Sequence, residues 1–138
     1  MPRPQSGNFR TPQQVRRFPN GQIETVSHNE TTIGRFVMQP GWRWSRDVAP
    51  IAGTRSCQVH HVGVVLKGRL HLETDAGEAF EFGPDDVYDI PPGHDAWVVG
   101  DEIFEAIEFA GARIFAAPAD GDRVLAAVLV TDIVDSTA

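Results

Sequence analysis

Cysteine is scarce in this 138-residue chain, with Cys57 its sole example. A lone thiol excludes an internal disulfide and a cysteine-rich zinc knuckle. Positive charge is also short: 12 Lys and Arg face 19 Asp and Glu, for a formal net charge of −7. Proteins that grip a phosphate backbone concentrate basic side chains to displace counterions, so no nucleic-acid partner is expected. Arg10, Arg16 and Arg17 cluster locally and read as a solvated tail. Long apolar runs are missing too. The stretch Val124 to Val130 falls far short of a bilayer span, so no membrane partner is expected. No charged head followed by an apolar run and a cleavage site opens the chain, and a cytoplasmic location is the expectation.

Turn formers, by contrast, are plentiful, with 13 Gly and 10 Pro. Met1 to Gly21 is rich in Pro, Gln, Arg and Gly without clear periodicity and reads as an extended arm, residues 1–21, suited to lie across a partner subunit. From Gln22 short apolar or alternating runs recur: Ile33 to Met38, Val59 to Leu66, Arg69 to Thr74, Ala79 to Phe82, Val87 to Ile90, Trp97 to Val99 and Ile103 to Phe109. Between them stand Pro40-Gly41, Lys67-Gly68, Asp75-Ala76-Gly77, Gly83-Pro84-Asp85-Asp86, Pro91-Pro92-Gly93 and Gly100-Asp101. Many short strands separated by turns predict an antiparallel all-β sandwich or barrel. Leu70 and Leu72 alternating with His71 and Glu73 carry the period-2 signature of a half-buried strand. Pro91-Pro92 cannot donate ladder hydrogen bonds and marks a break between strands.

The stretch Val64-Val65-Leu66-Lys67-Gly68-Arg69 followed by Asp85-Asp86-Val87-Tyr88-Asp89-Ile90-Pro91-Pro92-Gly93 resembles the two signature stretches of the cupin superfamily. The resemblance covers about Ile33 to Phe109. It implies a double-stranded β-helix, the jelly-roll β-barrel, over residues 22–117. In that family two His and one Glu of the first motif and one His of the second hold a metal. Anchored on Gly68, those positions fall here on Arg55, Cys57, His61 and Ala96, and none keeps its usual identity.

The replacements are nonetheless chemical. Positions 55, 57 and 61 share parity, so one strand carrying them would turn all three toward the barrel interior. Cys57 and His61 are competent ligands for a borderline metal, and His94 could enter the pocket from the Pro-Gly turn. Cys57, His61 and His94 are therefore the candidate ligands for zinc, iron or manganese, with a fourth position open. The bland reading is that cysteine often simply packs and that His61 is a hydrogen-bonded core residue. Arg55 would repel a cation and suit a carboxylate, which makes an anionic small molecule an alternative occupant. His60, of opposite parity, should point outward. Trp42 and Trp44, at i and i+2, and Trp97 beside the second motif are expected to line a ligand pocket, although most tryptophans merely supply core area.

Arg123 to Ala138, with Thr131-Asp132-Ile133-Val134-Asp135-Ser136-Thr137 after a Val/Leu run, resembles the opening strand of a class III adenylate or guanylate cyclase domain. The resemblance makes residues 118–138 a linker and first cyclase strand, with Asp132 at a magnesium-binding position. The remaining catalytic groups are absent, so this chain alone could not perform that reaction. No esterase elbow, phosphate loop or dinucleotide fingerprint suggests another catalytic machinery. The expectation is a non-catalytic ligand- or metal-binding regulatory module, forming a homodimer. The alternatives are a small metal-dependent oxygenase or isomerase using Cys57, His61 and His94, and a purely structural dimerisation domain.

Overall fold

The computed structural model describes residues 3–118, so the cyclase-like stretch lies outside the described residues. Among the described residues nine strands carry the fold: β1 (Gln14–Phe18), β2 (Gly21–His28), β3 (Thr31–Met38), β4 (His61–Lys67), β5 (Arg69–Thr74), β6 (Ala79–Phe82), β7 (Val87–Ile90), β8 (His94–Val99) and β9 (Phe104–Ala110). They form two antiparallel sheets, ordered β1-β2-β3-β9-β4-β7 and β6-β5-β8. The pairings nest. β3 pairs with β9, Arg43 bridges Trp97 on β8, β4 pairs with β7, and β5 pairs with β6. An antiparallel ribbon rolled up on itself produces that order, first with last and innermost with neighbour, and so builds a jelly roll.

The predicted runs at Arg69 to Thr74, Ala79 to Phe82 and Val87 to Ile90 coincide with β5, β6 and β7. Strand β8 starts earlier than expected, at His94, directly after the Pro91-Pro92-Gly93 turn, where Gly93 has φ +95°. Strand β4 begins only at His61, because residues 53–60 run irregularly.

The expected arm differs most. Its last third is strand β1, registered on β2 from Gln14 with Thr25 to Phe18 with Gly21. Phe18 is buried in the core, edge-on to Phe115 at 5.9 Å. Arg16 is half-buried rather than a solvated tail, and its guanidinium donates to the Ala112 and Arg113 carbonyls. The overlooked signal is Pro19-Asn20, the two-residue turn between paired Phe18 and Gly21, with proline in its first place. Asn20 adopts φ 64° there, and Asn29 adopts φ 57° at the β2–β3 tip, a conformation asparagine tolerates.

Extended backbone ends at Arg43, just before Trp44. Two single-turn helices follow, α1 (Trp44–Asp47) and α2 (Ala49–Ala52). Buried Asp47 accepts from the Arg43 backbone N–H at 3.0 Å and the Arg46 Nε–H at 3.0 Å. Pro50 sits in the first turn of α2, where its missing N–H costs nothing.

Between the sheets lies one core containing Ile23, Met38, Val48 and Val65, all fully buried. Burying side chains of this size contributes about 1.5–3 kcal/mol each. Gly68 turns β4 into β5 at φ +80°, and a Cβ there would strike the Ile103 carbonyl and the Phe104 backbone. No helix among the described residues is long and apolar enough to cross a membrane.

Candidate metal centre

Backbone pairing delivers the site. Cys57 and His94 form an isolated antiparallel bridge: Cys57 N–H donates to the His94 carbonyl at 2.7 Å, and His94 N–H returns to the Cys57 carbonyl at 3.3 Å. His61, opposite Ile90, opens β4 and faces inward with Gly63 and Val65. The result is three buried side chains whose ligand atoms all lie within 4.8 Å of one another.

The outer nitrogens are already engaged. His94 Nδ1–H donates to the Pro91 carbonyl at 2.9 Å, leaving Nε2 as the ring nitrogen available to the cluster. His61 Nδ1–H donates to Glu108 Oε1 at 2.7 Å, and Tyr88 O–H donates to Glu108 Oε2 at 2.8 Å. Both oxygens of Glu108 therefore accept, as a carboxylate does. Gly63 makes room for this relay, since a Cβ there would sit 2.8 Å from the Tyr88 hydroxyl and 3.0 Å from Glu108 Cγ.

The remaining His61 nitrogen, Nε2, lies 3.5 Å from Cys57 Sγ. Burial alone would depress His61, but the Glu108 charge and the hydrogen bonds to Cys57 and Glu108 raise it to about 10. Burial alone would raise the Cys57 thiol. Hydrogen bonds from His61 and His94, with their positive charge, outweigh it and bring Cys57 down to about 7. Burial and the neighbouring Glu108 both push Tyr88 upward, so it stays a donor. Without a metal, then, Cys57 and His61 form a thiolate–imidazolium pair near neutral pH.

The same atoms fit a metal. A tetrahedral ion at about 2.3 Å from sulfur and about 2.0 Å from nitrogen holds those two atoms roughly 3.5 Å apart, the separation seen between Cys57 and His61. One thiolate and two imidazoles suit zinc or another borderline divalent ion. Each imidazole donates its far N–H to a carboxylate or carbonyl, the arrangement that orients metal-bound histidine. Three protein ligands leave a fourth position free.

Two spaces flank the cluster. A narrow, chiefly apolar cavity of about 40 Å³ is lined by His61, His94, Trp42, Trp44 and inward residues of both sheets. A larger pocket of about 170 Å³ is lined by Cys57, Trp44 and Ile114 to Ala117. Trp42 is 3% exposed, yet its Nε1–H is buried without a partner. Such an orphaned donor costs about 1–3 kcal/mol.

The structure thus brings Cys57, His61 and His94 together and places Trp42 and Trp44 at the cavity. Arg55 and Trp97 lie elsewhere. Arg55 is exposed, because the parity expected of a strand does not apply in the irregular stretch before β4. Trp97 falls on the outer face of β8, whose inward residues are His94, Ala96 and Val98. There it stacks on His71 at 4.4 Å under the Arg43 guanidinium at 4.1 Å. His60 points outward to Asp89 at 2.6 Å, both exposed. Sequence reasoning overlooked Glu108 and Tyr88. For Glu108 a signal existed: it occupies the inward parity of β9 after Phe104 and Ala106.

No family model and no curated protein matches the chain. Among solved structures, oxalate decarboxylase from Lactobacillus farciminis, in a formate complex, is similar over 74% of this chain and 32% of its own, with 18% identity and TM-score 0.52. A protein of unknown function from Rhizobium leguminosarum bv. viciae is similar over 78% of this chain and 97% of its own, with 21% identity and TM-score 0.51. A cupin-like protein from Thermotoga maritima aligns over 69% of this chain and 71% of its own, with 19% identity and TM-score 0.48. Likeness at these identities concerns fold alone. In fold, the chain is an all-β antiparallel jelly-roll barrel of the cupin type.

Proposed function

We propose that this domain binds one divalent metal, zinc by preference, through Cys57, His61 and His94, and works as a non-catalytic regulatory module. The observation that carries the metal is the convergence of three buried ligand atoms within 4.8 Å, with both imidazoles anchored at their far nitrogens. Bound there, the ion would supply a fixed Lewis-acidic anchor for a small ligand. A regulatory role draws support from the exit segment of the barrel. The Phe115 ring lies 5.5 Å from His61 and 4.8 Å from Phe36, and Ala117 lines the same pocket as Cys57. Residues leading toward the cyclase-like stretch therefore rest on a metal ligand, so occupancy could be passed along the chain to a nucleotide cyclase domain. Protein purified without chelator should carry about one equivalent of metal by elemental mass spectrometry, and Cys57→Ala with His61→Ala should carry none. Less than about a tenth of an equivalent in wild type would reject the metal reading. Stoichiometric iron with oxygen-dependent turnover would instead favour an enzyme.

We also propose a homodimer. Edge strands β6 and β7 leave backbone groups unpaired, and they expose Phe80 at 47% and Val87 at 78%; a second subunit is a common cover for such edges. Light scattering should return about twice the 15.1 kDa chain mass. A strict monomer at about 100 μM would reject this.

A further inference from the structure

We propose that the cavity beside His61 and His94 takes a neutral ligand of about three non-hydrogen atoms or fewer, held at the open metal position and accepting a hydrogen bond from Trp42 Nε1–H. This deepens the metal reading above and rests on it.

Size comes first. One water needs roughly 10–15 Å³ of such space, so a cavity of about 40 Å³ accommodates about three atoms. Side chains from both sheets, among them Phe36, Leu72 and Phe104, occupy the rest of the barrel interior. A metabolite-sized organic acid would need the core to open.

Polarity narrows the choice. Among the polar groups lining this cavity, His61, Tyr88 and Glu108 satisfy one another, and His94 is tied to the Pro91 carbonyl. Among the described residues lining it, Trp42 alone brings a buried polar hydrogen with no acceptor. Indole donates and never accepts, so the ligand must present a lone pair to Trp42 as well as to the metal.

Charge decides the rest. A divalent ion is balanced by the Cys57 thiolate and the Glu108 carboxylate, so the occupied centre is neutral as a unit. Among the described residues no Lys or Arg lines the cavity, and Arg55, the cation that would have welcomed an anion, is exposed. An added anion would stand uncompensated among apolar side chains, an arrangement protein interiors avoid.

The test uses full-length protein loaded with cobalt(II), whose visible bands report both metal binding and changes at the open position. Formamide and formate match in size but differ in charge, whereas imidazole is neutral but too large. Formamide is expected to shift the bands with an affinity about tenfold above that of formate, and imidazole should leave them unchanged. Trp42→Phe keeps an aromatic ring and removes the N–H; it should weaken formamide about tenfold while leaving cobalt stoichiometry and melting temperature near wild type. Formate binding as tightly as formamide would overturn the charge argument, and unchanged formamide affinity in Trp42→Phe would overturn the role of Trp42. A shift with imidazole would overturn the size limit. Failure to bind cobalt at all would overturn the metal reading itself, a result distinct from the other three.

Discussion

Zinc returned to chelator-stripped protein should raise the melting temperature by on the order of 10 °C when present at about a hundred times its dissociation constant. Such an excess adds about 2.7 kcal/mol to the native state alone. For a domain of this size each kcal/mol moves the midpoint by several degrees. The gain depends on the three ligand atoms being brought together only in the folded chain. In sequence His94 stands far from Cys57 and His61, and only the β8 bridge closes that distance. Binding also requires a thiolate and neutral imidazoles, so the gain should decline as pH falls below about 10, where His61 takes its proton, and more steeply below about 7, where Cys57 does. Cys57→Ser with His61→Ala should show no zinc-dependent shift by calorimetry or thermal fluorescence. A wild type equally indifferent to zinc, iron and manganese would return these residues to the status of packing groups.

Replacing Glu108 should produce the second large effect. Glu108→Ala in metal-free protein removes the carboxylate that accepts from both His61 and Tyr88. It leaves a buried imidazolium with Cys57 as its remaining partner and a buried hydroxyl without one, a loss of about 3–5 kcal/mol. The cost should depend on pH in a definite direction. His61 is raised from 6.5 to about 10, so its contribution is fully present below pH 6.5 and is lost as pH climbs through about 10. Cys57 is lowered from 9.0 to about 7, so its contribution is present above pH 9.0 and is lost as pH falls through about 7. The charged pair as a whole is thus populated between about 7 and 10. Urea denaturation of wild type and Glu108→Ala should show a wide stability gap near neutral pH that narrows above about pH 10. A gap independent of pH would mean that Glu108 acts through packing alone.

Strand identity was legible wherever period and punctuation agreed. Leu70 and Leu72 against His71 and Glu73, closed by Asp75-Ala76-Gly77, defined β5 to the residue. Strand β1 escaped notice because Arg16 and Arg17 look like a tail until the Ala112 and Arg113 carbonyls are seen to receive Arg16. Parity worked for His60 and His61, which lie on or beside a regular strand, and failed for Arg55, which does not. Trp97 looked like a pocket residue from its nearness in sequence to the second motif. On β8, however, alternate residues face opposite sides, and His94 and Ala96 had already taken the inward parity.

The family resemblance singled out the chemically apt Cys57, His61 and His94, while composition, turn spacing and local alternation by themselves determined the all-β class and most strand positions. These are properties of neighbours in the chain, written in periods of two and in glycine and proline. Only the tertiary structure decided that the three ligand atoms meet, that Glu108 and Tyr88 stand behind His61, and that the barrel interior is nearly filled. Those facts depend on cross-strand register between residues distant in sequence, such as Gly63 against Glu108 and Cys57 against His94. A single-residue slip in that register would turn each of these side chains to the opposite face.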